Sequence, residues 1–381
     1  MNERGVPVRL DPGLEHDDEA DLLELARRAR ACAGNVPAAI ALAADLGTEL
    51  PLPMRGSTAR LWESLATIAA VDLTTARVIE PHLDALAILS QAPAVDLAAL
   101  DGNGADRAAG HGAPGPGRPG VNADSGRHEG TAERRSWGVF AAESRDVHVQ
   151  ARRSGTGWVL SGTKPWCSLA GSLTHAVVTA RTDAGRQAFA VDLRGPRVRA
   201  DDGGWTARGL AGVPSGPVSF AHVPAVPVGG TGWYLDRPGF AWGGVGVAAI
   251  WFGAASAIAR RVYAHCRERE ADQIACLQLG LIDGQMSSAR NALALAARQA
   301  DGTSAAPDPA LAAGRARAAV VGAAEAVLEL AGHAMGPGPL AFEPEHAART
   351  ADLGLYLRQD HAERSTAALG RTLLDQETAP W

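Results

Sequence analysis

Residues 157–180 read GWVLSGTKPWCSLAGSLTHAVVTA. Two apolar runs, Trp158 to Leu160 and Ala176 to Ala180, flank the segment Gly162-Thr163-Lys164-Pro165-Trp166-Cys167-Ser168, whose glycine and proline mark a connection between strands. Outward from it, alternation of apolar and polar residues recurs in VHVQARR (147–153), QAFAVDL (187–193) and GPVSFAHV (216–223), with Gly, Pro and Asp between the runs. Half-buried antiparallel strands joined by short turns have this period of two. The sequence predicts a compact β domain over residues 136–232, its strands lying between Trp137 and about Val228.

On either side the period changes to that of helices. Leu22, Leu23, Leu25 and Ala26 recur at helical spacing, as do Leu61, Leu65, Ile68 and Ala69, and Val71 to Ile88 continues the pattern. An N-terminal helical domain over 1–100 is expected, with Ser57 or Thr58 capping the helix near Leu61 and Glu63 in its first turn. After Pro238 a C-terminal four-helix bundle over 233–381 is expected, with helices at Gly244–Arg269, Leu277–Gln299, Ala310–Gly332 and Asp360–Asp375. Residues 101–135 hold almost no large apolar side chain and read as a disordered insertion, because they cannot bury enough surface to offset their ordering entropy. Its His111 and His128 lack the spacing and cysteine support of a metal site, and no metal is expected.

Helices, then strands, then helices is an α+β order, unlike the alternation of a doubly wound sheet. No G-x-G-x-x-G follows a strand, which argues against a Rossmann nucleotide site. The chain is 46% hydrophobic and carries 44 Gly, so helices packed through small residues are expected. A formal charge of −6 with scattered arginines argues against nucleic acid as a partner. Cys32, Cys167, Cys266 and Cys276 form no C-x-x-C pair and the start does not resemble a secretory signal, so a reducing cytoplasm is expected. Gly239 to Ala259 is uncharged and as long as a bilayer-spanning helix. Gly, Ala and Ser dominate it and Arg260 and Arg261 follow, so it reads as a buried bundle helix rather than a membrane span.

The run 162–168 resembles the G-x-K-x-W-[IC]-[TS] stretch that acyl-CoA dehydrogenases carry after a strand of their β domain. Apart from the insertion, the resemblance extends over nearly the whole chain, through the domain order and the passages Arg208 to Val228 and Gly239 to Arg269, and suggests a divergent, actinobacterial-type member. It implies an acyl-CoA dehydrogenase-like fold, bound FAD, and a homodimer or homotetramer acting on a small acyl substrate with an electron acceptor. Trp166 would lie against the isoalloxazine and Ser168 would hydrogen-bond near its reactive nitrogen. A flat aromatic plate gives stacking and excludes water, and a short hydroxyl fixes orientation. Family members also place T-E-x-x-x-G-S-D over the flavin. Here Val139 to Asp146 reads VFAAESRD, which keeps Ser144 and Asp146, lacks the glycine, and leaves flavin contact to the backbone from Phe140 to Ser144. From a neighbouring subunit, the resemblance implies cofactor contacts by Arg269 and Gln278, with GHAMGPG (332–338) a loose match to a further segment.

The catalytic base departs from the family pattern. Dehydrogenation needs a carboxylate to take the substrate's α-proton. Aligning RTADLGLYLRQD (349–360) with the family places Arg358 at one expected position of that Glu, and Gly243 falls near the other. Three readings stay open. Asp360, or Glu363, serves as a displaced base, or Asp360 instead caps the helix that follows, with Glu363 completing a capping box. The flavin oxygenates a non-thioester substrate, as in monooxygenases of this architecture. Or the chain is a non-catalytic paralogue with a scaffold or acyl-binding role.

Overall fold

The computed structural model describes residues 6–10, 17–101, 134–201, 204–268, 271–306 and 308–379. Most of the segment read as a disordered insertion, with His111 and His128, lies outside them, as does Arg269. Helices come first: α1 (Asp17–Cys32), α2 (Val36–Glu49), α3 (Thr58–Val71), α4 (Leu73–Gln91) and the short α5 (Ala98–Asp101). Local capping starts two of them. Asn35 accepts from the Ala38 N–H at 3.1 Å and Asp72 from the Thr75 N–H at 2.7 Å. Helix α3 is different, because Ser57 makes no side-chain cap bond. The carboxylate of Asp301, more than 240 residues on, accepts from the N–H groups of Gly56 and Thr58 and from the Thr58 hydroxyl, at 3.0, 2.9 and 2.6 Å. Glu63 is likewise drawn away from its own helix, accepting from the Leu10 N–H at 2.6 Å.

Seven strands follow: β1 (Trp137–Phe140), β2 (Val149–Ser154), β3 (Gly157–Lys164), β4 (His175–Thr182), β5 (Gly185–Asp192), β6 (Val198–Ala200) and β7 (Val218–Val228). The expected antiparallel domain is in fact a closed barrel, since β4 pairs with both β5 and β2 and the path β2, β3, β7, β5 returns to β4. Two of its pairings, β1 with β4 and β2 with β4, are parallel. Closure depends on β7, which lies along β3 and then reaches β5 through Val226, Pro227 and Val228. His222, at φ 56, has no partner in the β3 register and forms the bulge that bends the strand. Gly162, at φ 113, lies so close to the His148 carbonyl that a Cβ would stand 2.4 Å from its oxygen. Strand β4 is not half-buried as its alternation suggested. Every residue from His175 to Ala180 is buried, with Ala176 and Val178 in the main core and Val177 in a second one beneath α4.

Among the described residues, the C-terminal part contains three long helices rather than four: α7 (Phe240–Arg267), α8 (Gln273–Ala300) and α9 (Pro309–Met335), with α6 (Trp233–Asp236) before them. Short helices α10 (Pro337–Phe342), α11 (Pro344–Tyr356) and α12 (Glu363–Leu374) complete the described chain. The fourth expected helix shrinks to α12, which rests on α9 and buries no residue although its sequence is amphipathic. No capping box starts it: the Ala362 N–H donates to Asp360 instead. Helix α7 is long and apolar enough to cross a membrane, and 67% of its most apolar window is buried inside the protein. It crosses α3 so closely that a Cβ on Gly253 would sit 2.1 Å from the Ala66 carbonyl oxygen.

Helix α4 joins the two halves. Buried His82 accepts the Trp137 N–H of β1 on Nδ1 at 3.2 Å, and burial pushes its pKa down to about 4. The unfolded chain takes up this proton near pH 6.5 and the folded one only near 4. The stabilisation is therefore complete above about pH 6.5 and is lost as pH falls towards 4, by about 3 kcal/mol in all. We expect His82→Gln to flatten the fall in urea midpoint over this window relative to the unsubstituted protein. An unchanged pH slope in the variant would rule the assignment out.

Candidate functional site

The connection after β3 is held by its own sequence. Lys164 is buried, and its ammonium donates to Glu143 and to the Thr179 hydroxyl, each at 2.8 Å. Burial lowers the Lys164 pKa and the Glu143 bond opposes that shift, whereas Glu143, raised by burial, is held below the usual carboxylate range by Lys164 and Arg186. The N–H groups of Cys167 and Leu169 donate to the carbonyls of Gly216 and Pro214 at 2.9 and 2.8 Å, tying this loop to the one before β7. Cys167 faces inward and burial pushes its thiol up to about 12. Trp166 does the opposite: it is 66% exposed and sits at φ 58, a left-handed backbone that costs a bulky residue energy.

Ser168 leads from this loop into the helices. Its hydroxyl lies 2.8 Å from that of Ser215 and accepts from Arg77 of α4 at 2.9 Å. Arg77 also donates to Glu80 at 3.3 Å and lies over the Tyr356 ring, 5.5 Å from its centroid. Burial raises Glu80 to about 7, against the pull of Arg77 and with the repulsion of Asp84 added. Burial also raises Asp84, whose nearest cation, Arg237, stands 4.0 Å away and lies over the rings of Tyr234 and Phe240. The Tyr356 hydroxyl is buried, faces Glu80 without a well-aligned hydrogen bond, and is shifted upward by burial and by that carboxylate. Tyr356 meets Trp251 edge-on at 5.9 Å, and Arg317 covers Trp251 at 5.0 Å while pairing with Asp360 at 3.2 Å. Charged side chains of α4 and the C-terminal helices thus meet hydroxyls of the barrel loops at one junction.

The sequence matches no protein-family model and no curated protein. Solved structures do match. KijD3, described in complex with FMN and dTDP-3-amino-2,3,6-trideoxy-4-keto-3-methyl-D-glucose, superposes at a TM-score of 0.73 with 19% identity, over 98% of this chain and 97% of its own. Glutaryl-CoA dehydrogenase from Mycobacterium smegmatis gives 0.70 with 18% identity, over 95% of each chain. The dibenzothiophene monooxygenase TdsC from Paenibacillus sp. A11-2 gives 0.66 with 17% identity, over 96% of this chain and 99% of that one. The chain has the acyl-CoA dehydrogenase fold.

Against the expectations for that fold, the residues divide. Trp166 and Ser168 stand together at the junction, with Trp166 uncovered. Phe140 turns its ring into the core and Ser144 is half-buried, its hydroxyl accepting the Asp146 N–H at 3.3 Å. Gln278 lies near the start of α8, half-buried, and a contact between subunits is not one that a single chain makes. Asp360 is buried with both carboxylate oxygens engaged, one by Arg317 and the other by the Ala362 N–H at 3.0 Å. Arg358 is exposed and pairs with Glu325. A Cβ on Gly243 would stand 3.4 Å from the Asp84 carboxylate, so an acid on α4 borders the place where acyl-CoA dehydrogenases can carry one on the first bundle helix. Sequence reading passed over Arg77, Glu80 and Asp84. The signal was charge at positions i, i+3 and i+7 of an otherwise apolar helix, where polar residues are expected to be functional or paired.

Lys164 supplies a direct test of the loop. Glu143→Ala leaves a buried ammonium without its carboxylate and should cost about 1 to 3 kcal/mol. Lys164→Met, which removes the charge and keeps the volume, should cost less. Denaturant unfolding that ranks the two the other way round defeats this account.

Proposed function

We propose that this chain is a flavin-dependent oxidoreductase whose isoalloxazine lies against Trp166, beside Ser168, at the junction of barrel and helices. One observation carries the reading. A loop closed by buried Lys164 and Cys167 holds a large indole outward in a left-handed backbone, and a flat aromatic plate next to a hydroxyl suits a planar ring system. The fold adds support, since KijD3 is described with FMN and a structure of TdsC is described as FMN-bound. Trp166 would stack on the ring and exclude water. Ser168, fixed by Arg77 and Ser215, would orient it. A bound flavin supplies two-electron chemistry.

FAD is the cofactor that the sequence suggested and FMN the alternative. For the reaction, α,β-dehydrogenation of an acyl thioester stands beside oxygenation of a non-thioester substrate. The second is favoured by the junction itself. Neither Arg358 nor Gly243 supplies the carboxylate that α-proton abstraction needs. A homodimer or homotetramer fits the outer face of α8, where Ile274, Leu277 and Leu281 follow one side of the helix and are at least half exposed.

Purified protein mixed with FMN or FAD and freed of excess should stay yellow with one of them. Trp166→Ala should weaken retention about tenfold, the equivalent of one lost stacking contact. A colourless protein, or a variant that holds flavin as tightly as its parent, defeats the proposal. Anaerobic octanoyl-CoA bleaches the flavin if the chain is a dehydrogenase and leaves it oxidised if the chain is an oxygenase.

A further inference from the structure

We infer that Glu80 is a positioning residue for the flavin, acting through Arg77 and Ser168 to set how much positive charge the bound ring experiences. The inference rests on the flavin reading above and reaches beyond it to side chains that would not themselves touch the cofactor.

The path is continuous. Glu80 lies 3.3 Å from the Arg77 guanidinium, which donates to the Ser168 hydroxyl at 2.9 Å, and Ser168 is 2.8 Å from Ser215, which donates to the Val213 carbonyl at 3.1 Å. An acid on a helix is thereby linked to the barrel loop that carries Trp166. Arg77 and Glu80 are both shielded, with side chains 11% and 14% exposed, so their pairing is weakly screened by solvent.

Among the described residues, the groups that act on Glu80 come from several elements. On its own helix, Arg77 favours the carboxylate and Asp84 opposes it. From α11, the Tyr356 hydroxyl faces it, and Arg317 of α9 reaches Tyr356 by its charge while held by Asp360. Arg237, beyond the end of α6, answers Asp84. This balance leaves Glu80 titrating at about 7. When ionised, Glu80 neutralises Arg77. When protonated, it leaves the guanidinium charge uncompensated, and Arg77, anchored on the Ser168 oxygen, then raises the positive potential on the side of the ring that Ser168 orients. Positive charge near a flavin favours its reduced, anionic form, so the pair would make the ring easier to reduce as pH falls through neutrality.

Three preparations test this without a substrate. In flavin-free protein labelled with carboxyl-13C glutamate, one signal should titrate near pH 7 and vanish in Glu80→Gln. In the flavin-loaded protein, the midpoint potential measured by dye-coupled reduction should break from its ordinary pH slope near the same pH. The shift below the break should be towards more positive values. Glu80→Gln should keep the flavin and lose the break. Ser168→Ala should keep the glutamate titration and also lose the break, because the link is cut beyond Glu80. A break that persists in either variant, or a parent protein without one, overturns the inference while leaving flavin binding intact. Failure to take up any flavin overturns the functional reading first, and this inference with it.

Discussion

Helix α4 packs at once against α2, α3, β1, α7 and α11, and it does so with charged groups in its buried face. Such groups are costly unless each finds a partner, so the elements around α4 are constrained by what they must offer it. The barrel offers the Ser168 hydroxyl to Arg77 and the Trp137 N–H to His82. The C-terminal helices offer the Tyr356 ring, and the segment before α7 offers Arg237. Satisfying one polar row ties the barrel to the helices, and the proposed flavin site lies at the junction where that row reaches the barrel loop.

Arg358 turns outward to Glu325, and Gly243, which lacks a side chain, is approached from α4 by Asp84. Asp360, whose type and position invited a catalytic role, is bound into an ion pair with Arg317 that also covers Trp251.

The longer strands, the helices α1, α3 and α4 and the three long ones were legible because each writes its period into consecutive residues. The run 162–168 was legible because a glycine, a buried lysine and a tryptophan act within one loop. What escaped was decided across the chain. Asp301 reads as a residue after a helix, and nothing near it announces that it caps α3. Barrel closure turns on the bulge at His222 and on the reach of β7 to β5, which no local alternation records. The contraction of the last helix left no mark in its sequence, which is amphipathic between Glu363 and Leu374. Glu80 was hidden by its neighbours, since Val78, Ile79 and Pro81 make the stretch look like an ordinary core helix, and its altered acidity exists only once Tyr356 and Asp84 are folded against it.

Cys167 follows Trp166 directly, yet its sulfur is sealed from solvent and bonded to the Lys164 carbonyl at 3.3 Å. Thiolate is the form that electrophiles and peroxides attack, and a thiol raised to about 12 holds almost none of it at neutral pH. The loop that presents the indole is therefore chemically quiet at its one sulfur atom.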